Sequence, residues 1–355
     1  MEIEVCAMVL LRYLFIILIL VPSFAKAAEI IDATGTVVKI PDQIAKVAPA
    51  GPPASVFLYT LAPDLMMGWP SEIGEKRRTF LGQRAVDMPV IGSLGGRVGS
   101  EANIERFLLA KPDVIIDLGN VGTVDLELAQ MVRKRTNIPY ILFDGSLDNF
   151  PKAYREIGKA INKPDEGEKR ALWLENHMKA VKTAIDQIPQ DKRPRIYYAR
   201  GVDGKETGRS GSIHAEVIER AGAINAVDAN VGSQGILQLS MDHILALDPD
   251  IIIASNPKFM ETIASDPLWQ HLRAVKNNKV YLAPSMPYSW IDVPPSVNRA
   301  IGVIWLTHIL YPETYNVDIK ATAGEFYDLF YHITLDDKAF DDLMISTQPQ
   351  KTGSQ

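Results

Sequence analysis

Residues Glu105–Asp117 read ERFLLAKPDVIID, and residues Asp242–Ala254 read DHILALDPDIIIA. Each stretch has an acid, an apolar run at helical spacing, Pro-Asp, and then three β-branched residues. Pro112 and Pro249 stand 137 residues apart (249 − 112), and so do Glu105 and Asp242 (242 − 105). Solenoids repeat at a period of about 20–50 residues, so this wider interval implies two similar lobes instead. Each copy reads as a short helix, a Pro-Asp turn and a buried parallel strand. The two acids are therefore expected at equivalent places, each in the first turn of a helix on its own lobe. Such a pair suits a partner that itself has two-fold symmetry.

The chain has 355 residues, room for two domains of ordinary size. Hydrophobic content of 47% and charged content of 23% are those of a globular protein. The net charge of −6 argues against a nucleic-acid partner, which calls for a basic patch. Arg12 precedes the apolar run YLFIILILV (Tyr13–Val21), and small residues in an A-x-A arrangement follow up to Ala27. That pattern is a cleavable secretory leader over residues 1–27, or from Met8 if the shorter start is used. The run is too short for a comfortable membrane span, which needs about 20 apolar residues. Cys6, in the leader, is the only cysteine. The mature chain is thus expected without disulfides, thiolate ligands or a lipid anchor, in a Gram-negative periplasm.

Along the chain, Ile30–Ile40 reads as a hairpin turning at Thr34-Gly35. Ile44–Ala48, Met88–Leu94, Val114–Asp117 and Tyr140–Phe143 read as extended pieces in the first half. Arg195–Ala199, Ile251–Ala254 and Lys279–Leu282 read as strands in the second. Helical patterns alternate with them, which argues for parallel sheets covered by helices. Asn149–Ile161 reads as one helix and Asp165–Ile188 as a longer one. At 24 residues the second would run about 36 Å, a stiff joint between lobes. The expected fold is α/β: two parallel-sheet lobes joined by one long α-helix, with a ligand cleft between the lobes. The boundaries expected are an N-terminal lobe over 28–148, linking helices over 149–190, a C-terminal lobe over 191–335 and a polar tail over 336–355.

Two lobes, one rigid linking helix, a secretory leader and paired acids before Pro-Asp strands resemble a known family. It is the periplasmic substrate-binding proteins of ABC importers for iron–siderophores, cobalamin and haem. The most specific parts are EANIERFLLAKPDVII, SGSIHAEVIERAGAINAVD and LSMDHILALDPDIII. The resemblance implies that Glu105 and Asp242 dock on arginines of a permease dimer, which works with a cytoplasmic ATPase. Family members usually carry Glu where this chain has Asp242. The resemblance also implies a small-molecule ligand, a monomeric protein and no catalysis.

In α/β folds the ligand faces the carboxyl ends of the strands, so the loops there supply the candidates. Trp69 lies in one such loop. Arg97 lies in Gly95-Gly96-Arg97-Val98-Gly99, where glycines let backbone N–H groups approach an anion. Arg200 and Arg209 fall in loops of the second half, and a guanidinium suits an anion bidentately. In catecholate–iron receptors of this family an arginine sits shortly before a helix start, the position of Arg209. Some also supply a histidine from the loop before the second acid helix, where this chain has Gln234. Tyr288 and Trp290 crowd one loop, and a loop tryptophan is expected to cover either a ligand or a core gap, the ligand being favoured. A stiff linker implies a largely preformed pocket, which loses less free energy on ordering.

These features fit a ferric siderophore or a similar metal chelate as cargo. Molybdate or tungstate, held by Arg97 and Arg209, is the alternative, as are cobalamin and haem. Direct capture of Zn²⁺ or Mn²⁺ would need three or four His, Asp or Glu ligands on one ion. Of the six histidines only His214 falls near a predicted cleft loop. No cofactor and no metal ligand set is expected. A hydrolase using Ser210 with His214 is the reading from a different class, but GRSGS (208–212) is not a G-x-S-x-G elbow.

Overall fold

The computed structural model describes residues 28–94, 101–232 and 235–344. The expected leader lies outside the described residues. The chain opens with an antiparallel hairpin of β1 (Ala28–Ile31) and β2 (Val37–Ile40). In the first lobe follow β3 (Val47–Pro49), α1 (Pro52–Leu61), α2 (Glu75–Arg78), α3 (Gln83–Val86) and α4 (Glu101–Ala110). Then come β4 (Val114–Gly119), α5 (Thr123–Thr136) and β5 (Tyr140–Asp144). Two helices, α6 (Phe150–Ala160) and α7 (Pro164–Ile185), lead across. The second lobe has β6 (Arg195–Ala199), β7 (Glu206–Gly208), α8 (Glu216–Arg220), β8 (Ile224–Asn225) and β9 (Ile236–Gln238). It continues with α9 (Met241–Leu247), β10 (Ile251–Ala254), α10 (Pro257–Ser265), α11 (Arg273–Lys276) and β11 (Val280–Leu282). The chain closes with α12 (Asn298–Leu310), α13 (Ile319–Phe326), a π-helical turn over Tyr327–Tyr331 and α14 (Asp337–Met344).

Two parallel sheets result, in strand order β3-β4-β5 and β11-β10-β6-β8. The repeat read from sequence is visible in atomic detail. Lys111 and Asp248, 137 residues apart (248 − 111), both end their helices in the left-handed region, with φ of 50° and 36°. The Pro-Asp acids then do the same work in each lobe. Asp113 Oδ2 accepts from the backbone N–H groups of Ala45 and Lys46 at 2.7 and 2.8 Å, just before β3. Asp250 Oδ2 accepts from Arg195 N at 2.8 Å, at the start of β6. Each carboxylate thereby satisfies donors that the neighbouring parallel strand leaves open at its beginning.

The sheets bury both faces, as continuous apolar strands require. Ala48, Ile115, Tyr140 and Leu142 face a core private to the first lobe. Tyr197, Ala199, Ile252 and Ala254 face one private to the second. The alternate residues, Val114, Ile116 and Ile141 on one sheet and Ile196, Tyr198, Ile251 and Ile253 on the other, belong to one core that spans both lobes. Helix α7, 22 residues long, runs about 33 Å along this shared core. Its Arg170, fully buried, donates to Thr60 O of α1, to the Glu166 carboxylate and to Leu329 O of the π turn. Lys169 and Arg170 hold the Glu166 carboxyl down at about 2, so it is ionised across the physiological range.

Several expectations need correction. Helix α4 begins at Glu101, so Glu105 is its fifth residue rather than part of its first turn, whereas Asp242 is the second residue of α9. Met88–Leu94 is not a strand; it contributes an isolated bridge between Trp69 and Val90. The region expected as a polar tail from 336 is not polar throughout its structure, because α14 buries Phe340 and Leu343.

Trp290 is the largest correction. Its side chain is 0% exposed, and its Nε1 donates to Tyr327 Oη at 3.3 Å. Helix α12 packs against it so closely that a Cβ at Gly302 would fall 1.8 Å from the Trp290 carbonyl oxygen. Trp290 therefore fills the shared core and does not line the cleft. Trp290→Ala should lower stability by about 3–5 kcal/mol, measured by urea denaturation. A loss below about 1 kcal/mol would show that the indole is not a core element.

Candidate functional site

A cleft of about 330 Å³ opens between the lobes. Pro52 and Ser55 at the start of α1 and the stretch Trp69–Ile73 with Arg77 form one wall. Arg200, His214, Tyr288 and Asp292–Pro295 form the other. Helix α1 begins at Gly51-Pro52-Pro53, an entry that proline favours because its fixed φ suits a first helical turn and it has no N–H to leave unsatisfied. The positive end of that helix faces the cleft.

The aromatic wall is rigid. Trp69 is buried and donates from Nε1 to Ala85 O at 2.8 Å. Its ring lies 6.3 Å from that of Tyr288, and the Arg77 guanidinium sits 4.8 Å from the Tyr288 ring centroid, a cation–π distance. Burial pushes the Tyr288 phenol well above its ordinary range, so it is neutral and a hydrogen-bond donor.

The polar wall is organised by one acid. Asp292, 1% exposed, accepts from the Tyr198 hydroxyl, from Arg200 Nε at 3.1 Å and from His214 Nδ1 at 2.7 Å. Glu206 lies behind Arg200 at 3.6 Å. Burial works against the Arg200 charge, but Asp292, Tyr198 and Glu206 outweigh it and hold the guanidinium above its ordinary range. His214 is seated on two glycines of the β7–β9 ribbon region. A Cβ at Gly208 would approach its Cβ to 2.9 Å, and one at Gly235 its Cδ2 to 3.2 Å.

A second crevice of about 310 Å³ continues between the lobes and has a different character. Asp144, Glu216 and Glu219 line it with Asn120, Ser146, Ser212 and Arg220. At its base the buried Arg299 of α12 donates to Glu216 and to Gly145 O, while Glu216 Oε1 accepts from Leu147 N at 2.9 Å. These bonds tie α8 and α12 to the loop after β5, across the lobe boundary. Among the described residues no three His, Cys, Asp or Glu side chains gather as a metal-holding group.

Of the residues singled out from sequence, Trp69, Arg200 and Tyr288 come together in the cleft. Arg209 does not line it; its Nη1 donates to Ala229 O at 3.0 Å. Trp290 lies in the core. Arg97 and Gln234 lie outside the described residues. Glu105 and Asp242 are exposed, on α4 and α9. The Ser210 hydroxyl donates to Val227 O at 2.9 Å, and His214 Nδ1 is committed to Asp292, so no Ser210–His214 dyad forms through that nitrogen. Arg77 and Asp292 were missed as site residues. EKRR (75–78) reads as a solvated charge run, and Asp292 meets its partners only through the fold.

Comparison with known proteins agrees with this architecture. The molybdate-binding protein MolA of Haemophilus influenzae is 25% identical over 293 residues, covering 75% of this chain and 79% of that protein. The high-affinity heme uptake system protein IsdE of Staphylococcus aureus is 25% identical over 263 residues, covering 71% and 77%. The solved structure of an ABC transporter solute binding protein from Sulfurospirillum deleyianum superposes with a TM-score of 0.83 at 28% identity, covering 90% of this chain and 100% of that one. Residues 93–287 match the model of a family described as periplasmic binding protein. The chain belongs to the periplasmic binding protein family.

Proposed function

We propose that this protein captures a compact anion in the interlobe cleft and delivers it to an ABC importer. As a member of its family the chain works with an ABC permease and its ATPase and binds a small-molecule ligand. The observation that carries the finer reading is the convergence of Arg77, Arg200, His214 and the α1 N-terminus on a cleft of about 330 Å³. Arg77 brings a forked donor, Arg200 brings a guanidinium already oriented by Asp292 and Glu206, and a helix N-terminus favours negative charge. The volume is at the small end of ligand pockets, about 300–1,000 Å³. A tetrahedral metal oxyanion of the molybdate class fits this donor set, and the likeness to MolA supports it. The bulky siderophore read from sequence loses a main support with Trp290 in the core. An anionic ferric chelate is the second reading, favoured by the Trp69–Tyr288 wall.

Calorimetric titration of the mature protein tests the proposal, with molybdate, tungstate, sulfate, ferric citrate, ferric siderophores, haem and cobalamin. Saturable binding of an oxyanion is expected, and Arg77→Ala and Arg200→Ala should each weaken it by about tenfold or more. Binding of haem or cobalamin alone, untouched by both substitutions, would overturn the anion reading.

Delivery is assigned to Glu105 and Asp242, exposed carboxylates on the corresponding helices of the two lobes. Reversing both charges, Glu105→Lys with Asp242→Lys, should leave ligand affinity within about twofold and cut transport into membrane vesicles by about tenfold or more. Transport at the unmodified rate would remove the docking role.

A further inference from the structure

The side chain of Asp292 is excluded from solvent, yet it serves three donors on three elements: Tyr198 of β6, Arg200 just beyond it, and His214 before α8. An ionised carboxylate only accepts hydrogen bonds. His214 Nδ1 therefore carries a hydrogen, and Nε2 is the nitrogen left to take a second proton. His214 lines the cleft, so an anion seated there meets a residue whose Nδ1 is already held against a negative charge. Among the described residues, the charged groups around it are few. Arg200, with Glu206 behind it, shares the same carboxylate. Arg77 and Glu72 face it from the first lobe, and Arg299 of α12 interacts with Asp292 from behind. Gly208 and Gly235, against which His214 packs, bring no charge.

We propose that Asp292 is the positioning residue of the cleft and that His214 takes up one proton when an anion binds, so that capture is coupled to pH. This rests on the anion reading given above. The proton passes from solvent to Nε2, and the resulting imidazolium lies between the bound anion and the Asp292 carboxylate. The cationic form is the one an anion favours, so affinity tightens as pH falls and is lost as pH rises.

The test is calorimetric titration with molybdate in two buffers of different ionisation enthalpy, at about pH 7, followed by affinities from about pH 8 to about pH 6.5. Proton uptake on binding is expected, together with an affinity gain of about threefold or more, within the tenfold per pH unit that one proton allows. His214→Gln should bind molybdate with neither the buffer-dependent heat nor the pH slope. Asp292→Asn, which keeps the shape but not the charge, should flatten the slope and weaken binding. If wild-type heats are the same in both buffers, or if His214→Gln keeps the slope, the coupling is overturned while anion capture stands. Absence of any oxyanion binding across the pH range overturns the anion reading and the coupling with it.

Discussion

One continuous apolar core spans both lobes, and each sheet contributes alternate strand residues to it. Ile116 and Ile141 enter it from one sheet, Tyr198 and Ile253 from the other. Separating the lobes would expose this core to water at about 25 cal/mol per Å². It would also strip Arg170 and Arg299 of the carbonyl oxygens that satisfy them while buried. The spacing of the lobes is thus set by packing. The long helix α7 is one part of this constraint rather than the whole of it.

From that fixed spacing follows the chemistry of the cleft. The first lobe supplies an indole, a helix N-terminus and Arg77. The second supplies Arg200 and His214, both oriented by Asp292. Among the described residues, the donors that meet in the cleft come from both lobes. The carboxylate that orients the second wall is itself withdrawn from solvent, which is why its hydrogen bonds can fix two cleft side chains at once. The neighbouring crevice is richer in carboxylates, with Asp144, Glu216 and Glu219 beside Arg220.

Much of the fold was legible because parallel strands buried on both faces leave continuous apolar runs. The Pro-Asp signal marked the starts of β4 and β10 to the residue, though β4 runs two residues past the expected Asp117, and the matched acids Asp113 and Asp250 have matched bonds. The start of α4 was not legible, since Glu101-Ala-Asn extends a helix that the apolar pattern alone would begin later. The site was legible only in part. Trp69, Arg200 and Tyr288 follow from loop position. Arg77 does not, because four charged residues in a row carry no sign of a tyrosine ring 4.8 Å away. Asp292 and His214 are 78 residues apart, and only the topology brings them together. Trp290 misled for the same reason: its cover comes from Gly302 and Tyr327, on elements that nothing local predicts.

The most direct measurement is anomalous X-ray scattering at the molybdenum absorption edge from crystals grown with molybdate. The expected result is one peak between the lobes, in contact with the side chains of Arg77, Arg200 and His214. A peak confined to the acid-lined crevice beside Glu216, or to the outer surface of either lobe, would contradict capture of a compact anion in this cleft.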